Sequence, residues 1–182
     1  MTVRRILTAA LPIVLVLGGL LPAVPAHADD AFSRCEGGDA ADFTLRAVLD
    51  GEDARGVGVG TIRPGDVVAS QTDAFSFLRI DWWGTTKDPD GDEGRLAGAG
   101  WPAPLLAPYV LMVRARTTVT NRPARLDDGH TRSTGWRVAG SDSPCYTYLG
   151  SRSGRLQFQV NDPQRGDNGG TENITVFVYR NP

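Results

Sequence analysis

Short runs of alternating apolar and polar residues dominate the chain from residue 43 onward. In "RLQFQV" (155–160), Leu156, Phe158 and Val160 share one face while Gln157 and Gln159 share the other. That period of two is the mark of a half-buried antiparallel strand. In "ITVFVY" (174–179), Ile174, Val176 and Val178 face one way and Thr175, Phe177 and Tyr179 the other. A strand apolar on both faces is predicted to be central or covered. The same reading gives strands at 43–49, 56–62, 66–70, 75–83, 109–120, 135–140 and 145–150. Clusters of Gly, Pro, Asn and Asp separate them, and "RPGD" (63–66) is turn chemistry, with Pro64 fixing φ and Gly65 free to take positive φ. No convincing helical periodicity competes. Eight to nine short strands predict an all-β fold, an antiparallel β-sandwich or barrel. Two long connections break the rhythm, residues 84–108 and the stretch "NDPQRGDNGGTEN" from Asn161 to Asn173.

The N-terminus changes the accounting. "VRR", an apolar run and "PAHA" read as a secretory signal peptide over residues 1–28, cleaved after Ala28. The expected product is a secreted, extracellular single domain, 29–182, of bacterial type and with no membrane insertion. Of the 19 Lys and Arg, Arg4 and Arg5 lie in the leader; the other 17 face 21 Asp and Glu, a net charge of −4. That balance argues against nucleic acid as a partner. Cys35 and Cys145 both lie beyond the leader, and in an exported chain an even pair reads as a disulfide. Closing so long a loop is worth about 4–5 kcal/mol on chain-entropy grounds. One histidine, His130, remains, so a zinc site lacks ligands.

The Asn161–Asn173 stretch carries the strongest chemical signal. Calcium takes six to eight oxygens from carboxylates, amides and backbone carbonyls. Asp162, Asp167 and Asn168 supply side-chain oxygens within seven residues, and the glycines let carbonyls turn inward. Two carboxylates held this close repel each other unless a cation intervenes. A solvated acidic turn is the other reading of the same residues.

In its setting, "LQFQVNDPQRGDNGGTENITVFV" resembles the C-terminal segment of the PA-I-type galactophilic lectins, calcium-dependent bacterial β-sandwiches. "IRPGDVVASQTDAFSF" and "APYVLMVRA" extend the resemblance over roughly residues 54–182. It implies an antiparallel β-sandwich of jelly-roll or galactose-binding-like type and a calcium ion between this loop and an earlier aromatic loop, with sugar hydroxyls completing the coordination. Carried over, the resemblance makes Asp162, Asp167 and Asn168 ligands, with Asp162 and Asp167 also meeting the sugar. A backbone carbonyl within Gln164–Gly166, centred on Arg165, joins them, as does the carbonyl of Phe77. The loop is shorter than the family's between Asp162 and the ligand pair. The family's sugar-contacting His and Gln have no counterpart in "KDPDGDEG", which offers Asp88, Asp90 and Asp92 instead. Asp88 and Asp90 are the facing acids expected near a galactose-type or other glycan. Such lectins commonly gain avidity as homo-oligomers.

The remaining candidates are weaker. "DPDGDEG" starts like an EF-hand, but its glycine falls at position 7 and Ala99 stands where Glu is needed. Trp82 and Trp83, adjacent in an expected strand, must point to opposite faces. Trp83, as the outer ring, is a candidate sugar platform, and packing beneath 84–108 is the alternative. His130 lacks a nucleophile motif. The leading expectation is therefore a non-catalytic, calcium-dependent carbohydrate-binding protein. A secreted glycoside hydrolase using a carboxylate pair is the alternative, as is a structural or protein-binding β-domain without a sugar site.

Overall fold

The structure, a computed structural model, describes residues 30–74 and 76–181; the expected leader and its cleavage point lie outside the described residues. A short helix, α1 (Ala31–Glu36), is followed by strands β1 (Phe43–Asp50), β2 (Val57–Ile62), β3 (Val67–Thr72), β4 (Leu78–Arg79) and β5 (Thr86–Lys87). Then come β6 (Leu111–Thr117), β7 (Pro123–Ala124), β8 (Leu126–Asp127), β9 (Arg132–Ser133), β10 (Arg137–Val138), β11 (Tyr146–Tyr148), β12 (Gly154–Val160) and β13 (Thr171–Tyr179). One large sheet runs β1-β13-β3-β11-β8-β9 and a second β10-β6-β12-β2, with β7 beside β6, while β4 and β5 pair as a separate two-stranded sheet. All pairings are antiparallel, so the fold is the all-β sandwich expected.

The alternating patterns explain the packing. Leu156, Phe158 and Val160 of β12 join Leu111, Val113 and Ala115 of β6 against Ile174, Val176 and Val178 of β13. Each is at most 3% exposed, so this is the core between the two sheets. β13 lies between β1 and β3. Its second apolar face, Phe177 and Tyr179, is covered by Ala31, Phe32 and Cys35 of α1. The doubly apolar strand is therefore both central and covered. The Cys35–Cys145 disulfide fastens that helix to the residue before β11. The "RPGD" turn forms as read, with Gly65 at φ 86° and the Asp66 carboxylate accepting from the Arg63 N–H at 2.8 Å.

Three expectations change. Thirteen short strands stand among the described residues where eight or nine were expected, because two-residue pairings carry no period-two signature. α1 escaped notice because six residues are too few for helical periodicity; Asp30 caps it by accepting from the Ser33 N–H at 2.9 Å. Most consequentially, 75–83 is not one strand. Pairing is confined to Leu78–Arg79, and Trp82 and Trp83 lie in the following turn. There the Asp81 carboxylate accepts from the N–H groups of Trp83 and Thr85, both at 2.9 Å, and Gly84 takes φ 87°. An Asx turn has displaced the strand.

β12 and β13 are consecutive but belong to different sheets. Their connection is no hairpin; it crosses the end of the sandwich, a gap of about 10 Å between layers. Asn161 anchors the crossing. It is 0% exposed, its Oδ1 accepts from the Ala103 N–H at 3.0 Å, and its Nδ2 donates to the Ala103 and Ala107 carbonyls at 3.1 and 2.9 Å. One side chain thus pins the 84–108 connection to the crossing loop. Asn161→Ala would leave the buried Ala103 N–H without an acceptor and take one donor each from the Ala103 and Ala107 carbonyls, and should cost about 1–3 kcal/mol. Urea unfolding should show the loss, with proteolysis around Ala103–Ala107 appearing before global unfolding.

Candidate functional site

The crossing loop folds over a 3-10 turn, Arg165–Asp167, and three of its side-chain oxygens are buried without a hydrogen-bond partner. Asp162 is 2% exposed and Asn168 0%. Asp162 Oδ1 accepts from the Gln164 N–H at 2.8 Å. Its Oδ2, together with Asp167 Oδ1 and Asn168 Oδ1, is buried with no hydrogen-bond partner. Burial pushes the Asp162 carboxyl above its usual range. The Gln164 N–H and the nearby Asn168 amide pull it back, and the charge of Asp167 pushes it up again. No hydrogen bond of ordinary geometry joins Asn168 to Asp162; the Asn168 Nδ2 donates instead to the Gly51 carbonyl at 3.3 Å. Arg165 does not neutralise the pair by contact either. Its Nη1 donates to the Asp162 backbone carbonyl at 2.7 Å.

A second loop closes on the first. Arg79 and Gly169 exchange both backbone hydrogen bonds, at 3.0 and 2.9 Å, and the Gly51 N–H donates to the Gly170 carbonyl at 3.0 Å. The Phe77 carbonyl consequently lies against the loop: a Cβ built on Gly170 would meet it at 3.3 Å. Gly170 itself sits at φ 87°, where only glycine is comfortable. The Gln164 and Arg165 carbonyls accept from Asp167 and Asn168 within the turn, which leaves Gly166 as the mid-loop carbonyl without a backbone donor. Asp162, Arg165, Asp167 and Asn168 thus share one loop, the Arg165 carbonyl is engaged by the Asn168 N–H, and the Phe77 carbonyl lies against Gly170 at the loop's far end.

The sugar-facing expectations fare differently. Asp90 is a structural clamp, its Oδ1 accepting from the Ser141 N–H at 2.8 Å and its Oδ2 from the Ser141 hydroxyl at 2.6 Å. Asp88 lines a separate cavity of about 500 Å³ with Asp73, Phe77 and Asp142. Trp83 is 93% exposed; Trp82, 76% exposed, lines an open cleft of about 450 Å³ with Pro163–Asp167 and Ala54. The Asp81–Gly84 turn is the sequence signal that would have picked out Trp82. Tyr109, at φ 63°, was also missed. Its phenol is raised by burial and by the charges of Asp162, Asp92 and Asp81, which puts the ring in the acidic field of the loop. His130 stands exposed in its turn.

Among the described residues, no three His, Cys, Asp or Glu side chains gather into a metal-holding group. The set here is two carboxylates and an amide, so any cation would depend on backbone carbonyls as well. No protein-family model matches this chain, and no curated protein does. A solved structure described as "EclA N-terminal domain; PllA-like lectin" is similar at 16% identity and a TM-score of 0.41, over 74% of this chain and 95% of that one. So distant a superposition leaves the fold description resting on the sheets themselves.

Glu172, two residues past the loop on β13, is 1% exposed and its Oε2 has no partner. Burial lifts its carboxyl to about 7, with Asp88 and Asp90 adding to the rise. Between its ordinary value of 4.5 and about 7, the folded chain holds a proton that the unfolded chain has lost. Stability from this group is thus greatest at low pH and falls as pH rises through that window. Glu172→Gln should erase the fall. In EDTA, the variant's advantage over wild type in urea unfolding should grow by about 2–3 kcal/mol between pH 4.5 and 8.

Proposed function

We propose that this chain is a carbohydrate-binding protein that holds a calcium ion in its crossing loop and presents that ion to sugar hydroxyls. The observation that supports the reading is the set of three donorless buried oxygens, Asp162 Oδ2, Asp167 Oδ1 and Asn168 Oδ1. Buried polar atoms are rarely left unpaired, and an unpaired carboxylate is the costliest of them. Oxygen ligands of mixed carboxylate, amide and carbonyl type suit calcium and do not suit zinc or copper. Asp162, Asp167 and Asn168 would hold the ion, with the Phe77 and Gly166 carbonyls completing the protein side. Bound calcium would supply open coordination positions for a pair of vicinal hydroxyls. Trp82, across the cleft, would offer its face to the apolar side of the ring.

Export accompanies this reading. The Cys35–Cys145 disulfide fits an oxidising compartment, as does the leader read from the sequence. The hydrolase alternative gains little from Glu172. Its carboxyl lies in the range of an acid catalyst, yet at 1% exposed it offers no face to a substrate.

Calorimetry after EDTA treatment tests the calcium step. Calcium at a hundredfold excess over its dissociation constant should raise the unfolding temperature by about 5–10 °C. Asp162→Ala should abolish the rise, and a wild-type scan indifferent to calcium would end the proposal. A glycan array probed with and without EDTA then tests the sugar step, where calcium-dependent capture is expected.

A further inference from the structure

The outer face of the β6–β12 pair is divided. Toward one end Met112 is buried beneath Ala103, Leu106, Ala107 and Trp136. Toward the other, the outward positions of both strands carry arginines and amides around an open groove of about 510 Å³. Arg114 and Arg116 come from β6, Arg155, Gln157 and Gln159 from β12, and Arg55 from the turn before β2. Register sets Arg155 opposite Arg116 and Gln157 opposite Arg114. Gly58 leaves the β2 side bare: a Cβ there would meet only Arg155 within 3.9 Å, besides the Leu156 carbonyl at that limit.

These guanidiniums are oriented but not neutralised. Arg114 Nε donates to Gln157 Oε1 at 2.9 Å, Arg116 Nη1 to the Asn121 carbonyl at 2.8 Å and Arg155 Nη2 to Asn121 Oδ1 at 2.9 Å. Six ion pairs form among the described residues, and none of them includes Arg55, Arg114, Arg116 or Arg155. Asp53, the acid nearest Arg55 in sequence, is turned to its backbone, accepting from the Arg55 N–H at 2.8 Å. Arg116 Nε is buried and has no partner. Arg114 stacks on Trp136 with its guanidinium carbon 4.0 Å from the ring centre, which fixes that charge in place. Burial, then the neighbouring Arg116, lowers Arg114 to about 10, so the crowding is uncompensated. Four like charges gathered in one groove on a chain with more acids than bases demand a partner.

We infer that this groove binds a linear polysaccharide carrying carboxylate or sulfate groups, independently of the crossing loop. Arginine forks match planar carboxylates and sulfates with paired hydrogen bonds. The interleaved Gln157, Gln159 and Asn121 amides suit the neutral hydroxyls between anionic substituents. Single-stranded nucleic acid fits less well, because it needs aromatic platforms for its bases and the Trp136 face is already taken by Arg114.

Binding is measured in EDTA, which silences any calcium site. Polygalacturonate tests carboxylates, heparin tests sulfates, dextran is the neutral control and single-stranded DNA the rival polyanion. At low salt, polygalacturonate or heparin should bind, weaken steeply as salt rises and outcompete DNA, while dextran should not bind. R116Q/R155Q should weaken binding at least tenfold. R55Q/R155Q should do likewise; both of its side chains are exposed, so folding is not at stake. R132Q, at an arginine paired with Asp127 elsewhere, should change nothing. Failure of both anionic polysaccharides to bind, indifference to the two double variants, or preference for dextran or DNA would overturn the inference.

Discussion

The crossing of the chain from β12 to β13 is the constraint on which this end of the molecule depends. Two consecutive strands placed in opposite sheets must be joined across the core, where backbone groups have little access to water. Every polar group taken along needs a partner. Asn161 meets that demand fully, with both ends of its amide engaged. The Arg79–Gly169 exchange and the Gly51–Gly170 bond meet it for the far end of the loop. Between these anchors the demand is left unmet at Asp162, Asp167 and Asn168. The orphaned oxygens therefore sit in a loop anchored at both ends, which separates them from ordinary surface turns whose carboxylates are wet.

The same economy of faces shapes the second sheet. Its inner face is apolar along β6 and β12, but its outer face is covered at one end only, by the 84–108 connection and Trp136. Where the cover stops, the strands turn to long side chains whose stems lie on the sheet and whose heads reach water. Arg114 stands at the boundary, stacked on the last covered ring. The groove begins where the small outer cluster ends, and it shares Ala54 with the cleft beside the crossing loop.

Most of the scaffold was legible because its long strands alternate cleanly. Leu156, Phe158 and Val160 declare their face, and the two apolar faces of β13 declare its central, covered place. The short pairings of β7 to β10 carry no such signal, since two residues cannot show a period. The loop residues Asp162, Asp167 and Asn168 were legible by chemistry, and the fold brings them into one environment. What alternation could not reveal is which strands share a sheet. Without that, the crossing loop resembles an overlong hairpin, and the long connection after β5 gives no hint that Asn161 holds it. The Trp82–Trp83 reading failed for a local reason. Apolar residues suggested a strand, while Asp81 and Gly84 imposed a turn whose hydrogen bonds are closer in sequence and form regardless of the sheet.

Electrostatics gives the crossing loop its direction. Asp162 and Glu172 are both raised by burial, one beside the charge of Asp167 and the other in the field of Asp88 and Asp90. As pH rises through their ranges, each deprotonation places negative charge where water is scarce, so this end of the sandwich works against folding near neutrality. Arg165 is near enough to help, yet it bonds to a backbone carbonyl and leaves the carboxylates unpaired. A chain selected only for stability would replace such groups with neutral ones, as unpaired buried charge is among the most expensive features a fold can keep. On the calcium reading proposed above, a divalent cation would invert the sign of that cost, because the oxygens that repel one another would become its ligands. On that reading Asp162 and Asp167 would be half of an interaction, carried on a loop that Asn161 anchors at one end and the Arg79–Gly169 exchange at the other.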